Sequence, residues 1–132
     1  SIKFLSMKEE TISRVAIIIL AIVMAIFGVY HFMRPENMII WVPNFLPGGI
    51  VWVYVAGAAF ILAALSFITN MQVRLAAYLL AVILFVFVLT IHLPNYFNAG
   101  DKEMQQASFV SILKDTALAA FAMHIGATST KK

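Results

Sequence analysis

Residues 14–31, RVAIIILAIVMAIFGVYH, decide how this chain is to be read. Arg14 and the titratable His31 enclose an uncharged apolar run. As a helix rising 1.5 Å per residue, the stretch reaches about 27 Å, close to the ~30 Å hydrocarbon thickness of a bilayer. Composition agrees: 63% of the 132 residues are hydrophobic and 11% are charged, against about 45–50% and about 25% in soluble domains. A chain this small buries only part of its apolar surface when it folds in water, so the solvent implied is lipid. No small-residue cleavage pattern follows the run, which therefore reads as a retained helix rather than a signal peptide.

Working outward, three more runs of similar length follow. Gly48 and Gly49 precede Ile50–Ile68, which ends at the polar turn Thr69-Asn70. Arg74 opens LAAYLLAVILFVFVLTI, which runs to His92 and which Pro94 is expected to stop. The polar stretch NYFNAGDKEMQQ reads as a loop before a fourth helix from Ala107 to Gly126 and the tail TSTKK. The expectation is an all-α fold: one membrane domain over 1–132, a polytopic four-helix bundle with transmembrane helices at about 14–32, 50–68, 74–92 and 107–126. Ser1–Ser13, with Lys3, Lys8, Glu9 and Glu10, reads as a polar tail at the membrane surface in which Thr11 or Ser13 could cap a helix. Lys3, Lys8, Arg14, Arg74, Lys131 and Lys132 fall on one side and Arg34 and Lys102 on the other. The positive-inside rule then places both termini in the cytoplasm, with Tyr30–Gly49 and Pro94–Gln106 on the outer face.

The segment between the first two helices, YHFMRPENMIIWVPNFLPGG at 30–49, combines Pro35, Pro43 and Pro47 with Trp41 and Phe45. Its prolines keep it irregular, its aromatics suit the membrane interface, and irregular backbone is tolerated at depth only when covered by protein. We read it as a Pro-rich interfacial roof over the bundle. Beneath it, close packing is expected at Ala21, Ala25 and Gly28, at Ala59 and Ala63, and at Ala77 and Ala81. On the fourth helix Ser108, Ser111, Asp115, Ala119, Ala122 and Gly126 share a narrow arc that should face the interior.

The same arc holds the chemistry. Asp115 lies near mid-membrane, where an ionisable group is either a functional site or a hydrogen-bonded tie between helices. Lys114 points about 100° away from it and is expected to face the interior or a partner chain. His31 and His92 end their helices in the same leaflet, as hydrogen-bonding end residues or as groups beside a ligand's polar head. Two histidines can ligate haem and two with a carboxylate a metal, but a quinone headgroup or a partner's polar surface fits this pair better. Arg34, three residues after His31, reads as an interfacial anchor or as a receiver of an anionic group, and His124 as an end residue. The expected polar pocket is thus His31, Arg34, His92 and Asp115, with Lys114 and Trp41 as docking positions and no metal site. Cysteine is absent, which excludes disulfides, thiolate metal sites and a Cys-pair thiol–quinone oxidoreductase. No phosphate loop or nucleophile–base arrangement occurs, and the net charge of +3 is too small and scattered for nucleic acid.

GVYHFMRPENM with VPNFLP, VAGAAFILAAL in the second helix, the Arg-Leu-Ala-Ala start of the third, its His-Leu-Pro end and the Lys-Asp pair of the fourth together resemble the DoxX-like membrane proteins. The likeness runs from about residue 14 to 126, and its most specific part is His31-Phe32-x-x-Pro35 with Pro43 and Pro47. Many members carry a Glu in the second helix where this chain has Phe60. The resemblance implies a four-helix subunit of a prokaryotic inner membrane. It would anchor or assist a redox assembly, as the small subunits of archaeal thiosulfate:quinone oxidoreductase do. Lipid and a protein partner or a second copy are then the expected partners, and a quinone the expected ligand. Catalysis by the chain alone is not expected. The alternatives are a structural subunit of another membrane complex and a small proton-linked transporter in which Asp115 titrates.

Overall fold

The computed structural model describes residues 2–42 and 44–129, and side chains from residue 7 onward with Pro43 excepted. Lys131, Lys132, Pro43 and the side chain of Lys3 therefore lie outside the described residues. Those residues form helices and turns and no strand: α1 (Ile2–Met33), α2 (Glu36–Ile39), α3 (Ile50–Thr69), α4 (Val73–Phe87), a π-helical turn (Val88–His92), α5 (Leu93–Phe97) and α6 (Lys102–Thr128). Among the described residues four stretches are long and apolar enough to cross a membrane: Met7–Met33, Ile50–Thr69, Val73–Phe97 and Lys102–Thr128. Their outer faces are apolar as well, with Ile26, Leu62, Val82 and Val110 each more than half exposed. A soluble monomer rarely leaves so much apolar surface uncovered, and lipid covers it here.

Three helix ends differ from the expected ones, each for a local reason. The polar stretch 2–13 is helical, and Thr11 bonds the Met7 carbonyl within α1 at 3.0 Å instead of capping a start. Pro94 does not stop the third membrane helix. A proline lacks the N–H for an α-turn and its ring crowds the carbonyl four residues back. The wider turn at Val88–His92, closed by Leu93 N–H to the Val88 carbonyl, carries the chain past it to Phe97. At the fourth helix, Asp101 accepts a hydrogen bond from the Met104 N–H at 2.7 Å and, with Glu103 in the first turn, starts α6 five residues early.

The helices follow one another around the bundle in the order α1, α3, α4, α6. α1 packs along α3, α3 on α4 and α4 along α6, whereas α1 and α6 have no comparable contact. Close packing comes from small side chains: Ala21, Ala77, Ala119 and Ala122 are fully buried around Phe67 and Leu80. Of the arc expected on α6, Ser108, Asp115, Ala119, Ala122 and Gly126 are buried and Ser111 is partly so. The tightest approach joins α1 to α3. A Cβ on Gly57 would stand 3.0 Å from the Gly28 carbonyl oxygen, and one on Gly28 would stand 2.8 Å from that of Gly57.

At the end holding the α3–α4 turn and both described termini, two arginines close neighbouring helices. Arg14 donates to the carbonyls of Phe67 and Ile68, at 2.7 and 2.9 Å, at the end of α3. Arg74 donates to the Ser129 carbonyl just beyond α6 at 2.6 Å. Each satisfies a terminal carbonyl in a medium without water and places positive charge at the negative end of a helix.

Gly57→Leu should lower the unfolding free energy by about 2–3 kcal/mol because the backbones must separate. Gly100→Leu, where an added Cβ meets nothing within 4 Å, should change it by less than about 0.5 kcal/mol. Reversible unfolding in lipid-detergent mixtures measures both.

Candidate functional site

The half of the bundle away from the termini is not filled. Beneath the roof lies a cavity of about 260 Å³ with contributions from α1, the roof, α3, α4 and its π-turn, and α6. Its walls are mainly apolar, and its polar groups are His31, His92, Ser111, Lys114, Asp115 and the two tryptophans Trp41 and Trp52. An apolar cavity of about 150 Å³ is enough to take up benzene, so this one has room for a substituted ring or the head of an amphiphile.

The π-turn and α6 meet at His92 and Asp115. Nε2 of His92 lies 2.9 Å from Oδ2 of Asp115, and the side chains retain 16% and 12% of their exposure. His92 is the internal partner that a carboxylate in the middle of a membrane-length helix requires. It also ties α6 to a π-turn, a backbone feature that recurs at functional sites because its geometry is set by tertiary contacts. His92 Nδ1 is buried and has no hydrogen-bond partner. If the carboxylate is ionised, Nε2 carries the proton and Nδ1 is left as an unmet acceptor, or as an unmet donor in the imidazolium.

His31 lies on the same cavity from the last turn of α1. Its Nδ1 is 2.6 Å from the Phe27 carbonyl, which can only accept, so Nδ1 carries a proton and Nε2 of the neutral ring is an acceptor. The ring stands edge-on to Phe60 at 5.4 Å, and Phe60 is edge-on to Phe87 at 6.3 Å. Phe60 therefore builds an aromatic wall of the cavity. The roof is fastened above: Asn95 of α5 donates to the Trp41 carbonyl at 2.8 Å, and the Trp52 indole donates to the Pro47 carbonyl.

Of the residues expected to form the pocket, His31, His92 and Asp115 share one cavity, and Lys114 and Trp41 line it too. Arg34 does not: it pairs with Glu36 at 3.3 Å, with side-chain exposures of 64% and 58%, as a surface ion pair of small energetic weight. His124 is exposed on α6, and its carbonyl accepts from Thr128. Trp52, Met38 and Ser111 also line the cavity. The first two carry no sequence signal that separates them from ordinary apolar positions, whereas Ser111 lay on the polar arc. Among the described residues no three His, Cys, Asp or Glu side chains approach closely enough to hold a metal ion. A haem iron held by both histidines would have to reach the buried Nδ1 of His92 or displace Asp115 from its Nε2.

The fold and cavity define an integral membrane helical bundle with a roofed, mostly apolar cavity. Within that class the chain belongs to the family described as domain of unknown function (DUF8561), whose model matches residues 20–126 and so takes in every cavity-lining residue. No curated protein and no solved structure matches the chain.

His92→Ala should cost about 3–5 kcal/mol of stability, because it leaves Asp115 buried and unpaired. The double variant His92→Leu with Asp115→Leu should be less destabilised than His92→Leu alone, and a double-mutant cycle through the two single Leu variants in detergent unfolding checks the sign.

Proposed function

We propose that this protein is a membrane subunit that assists a redox assembly by holding a lipophilic ligand of the quinone type beneath its roof. The observation that carries the reading is the His92–Asp115 pair set in a mainly apolar cavity. A quinone head is an apolar plate edged with carbonyl acceptors. It asks for flat apolar walls, which Phe27, Phe60 and Trp52 offer, and for a few donors, which the Ser111 hydroxyl and the Lys114 ammonium can supply, while Nε2 of His31 and Nδ1 of His92 can accept from the hydroxyls of the reduced head. A histidine held by a carboxylate can also keep or pass a proton at Nε2 without leaving a lone charge in the membrane.

The resemblance to DoxX-like proteins supports the same reading, since its named members are subunits of redox complexes rather than enzymes on their own. In this proposal the chain lies in a prokaryotic inner membrane with both termini in the cytoplasm, and the cavity opens toward the outer leaflet.

Protein purified from its native membrane in mild detergent should bring a quinone with it, identified by extraction and mass spectrometry. Asp115→Asn and His92→Ala should each lower the bound fraction about tenfold, the size expected for loss of a hydrogen bond to a charged group. Protein free of quinone, with electron flow through its complex unchanged in both variants, would refute the proposal.

A further inference from the structure

We propose that the seam between α1 and α6 receives a transmembrane helix of a different protein, one that carries a carboxylate at mid-membrane depth, and that Lys114 pairs with that carboxylate. The inference rests on the reading of this chain as a subunit of an assembly and names the chemistry of its neighbour.

α1 and α6 are the one pair of adjacent membrane helices that do not pack along each other. Across the gap the Lys114 ammonium lies 5.4 Å from the centre of the Phe27 ring. One side of Lys114 lines the cavity, yet the residue as a whole is exposed. Val110 and Ala117, one turn away on either side, are exposed as well, and so are Val23 and Tyr30 on the facing edge of α1. The seam is thus an apolar track with a single cation at its middle, and the cation needs a counter-charge because lipid supplies none.

The counter-charge does not come from this chain. Lys114 makes no salt bridge among the described residues, where the two ion pairs are Arg34 with Glu36 and His92 with Asp115. Asp115 is adjacent in sequence but points about 100° away on the helix and is held at 2.9 Å by His92. Glu36, Asp101 and Glu103 lie at helix starts, and Glu9 and Glu10 in the first turns of α1, all remote from the middle of α6.

Nor does it come from lipid headgroups. Lys114 stands twelve residues after Lys102 and fourteen before Thr128, which is about 18 and 21 Å from the two helix ends. That helix, about 40 Å long, outspans the ~30 Å hydrocarbon layer, so Lys114 near its middle lies about 13 Å from the nearer boundary, still beyond the reach of a four-carbon stem to a phosphate.

A second copy of this chain is also the wrong occupant. An isologous contact over the seam would set Lys114 against Lys114, and the carboxylate at the right depth, Asp115, is buried. What remains is a helix of another protein with Asp or Glu at its midpoint. Seated in the seam, it would neutralise Lys114 and close the open flank of the cavity in one contact.

The test uses the full chain reconstituted in phosphatidylcholine vesicles with a labelled synthetic helix of leucines bearing one central Glu, and reads association by energy transfer. The Glu helix should bind the wild-type chain at least tenfold tighter than it binds Lys114→Met, and Lys114→Arg should retain the binding. The same helix with Gln should bind wild type and Lys114→Met alike, and added oleate, whose carboxylate sits at the interface, should not displace the Glu helix. A cysteine in the peptide should cross-link to Val110→Cys and not to Leu62→Cys on the outer face of α3. Equal binding to wild type and Lys114→Met, displacement by oleate, or a homodimer that Lys114→Met abolishes would each overturn the proposal. Quinone content of the same preparations separates the two ideas: a quinone-free chain that binds the Glu helix removes the pocket and keeps the docking site.

Discussion

A carboxylate halfway along a membrane-length helix must find its partner inside the protein, and much of this structure follows from that requirement. Asp115 is 8% exposed and its partner is His92, 2.9 Å away on the neighbouring helix. For the partner to be there, the third membrane helix has to continue to His92 and past Pro94, and the wider turn at Val88–His92 is how the backbone does so. α5 then extends far enough for Asn95 to hold the Trp41 carbonyl, so the carboxylate, the π-turn and the roof form one connected arrangement. Removing the charge and its partner together would be tolerable energetically; removing either alone would not. That asymmetry is why the pair fixes the register of α6 against α4.

The two halves of the bundle are built differently. Toward the end with the arginine clamps, alanines and Gly126 let the helices touch, and Tyr78 lies against the bare backbone of Gly126. Toward the roof, Gly28 and Gly57 draw α1 onto α3. Several wall positions there hold large, rigid rings, His31, Phe60, Phe87 and Trp52, which keep the helices from closing on one another. In lipid there is no water-driven penalty for separated helices, so close packing is made only where small residues permit it. The cavity is the place where they do not. Its position beside the buried ion pair follows from sequence, residue by residue, rather than from any ligand.

The fold was legible because lipid makes sequence nearly one-dimensional: four apolar runs of spanning length have few other solutions. Within them, the arc of Ser108, Asp115, Ala119 and Ala122 could be read as interior because small and polar residues at helical spacing have nowhere else to go. Helix ends were less legible. Pro94 reads as a stop since its local chemistry opposes an α-turn, and nothing in the sequence says that a π-turn will absorb it. Residues 102–106 read as loop because they are polar, whereas Asp101 as a cap sets the start of α6. Among the candidate residues, His31 and His92 could be tied to one leaflet by counting along their helices, whereas Asp115 counted to mid-membrane; the third helix continues past His92 to Phe97, and His92 therefore stands level with Asp115. Arg34 could not be separated from them by counting, because its direction depends on how the chain turns at Pro35. It turns so that Arg34 meets Glu36 in the open.

Arg14 and Arg74 count toward topology in the sequence, yet each is occupied by carbonyl oxygens at the end of a neighbouring helix. Their charge is balanced by helix dipoles that the fold must terminate anyway, so they describe the protein's own construction. Lys114 has no such carbonyls, because it stands in the middle of α6 where every backbone oxygen belongs to the helix. An aromatic ring at 5.4 Å is its one described support. A chain that finds a partner for Asp115 at the same depth, by keeping a helix intact through a proline, leaves the adjacent lysine facing outward along an unpacked seam. The economical explanation of that contrast is that the fold completes Asp115 by itself and that something outside the chain completes Lys114.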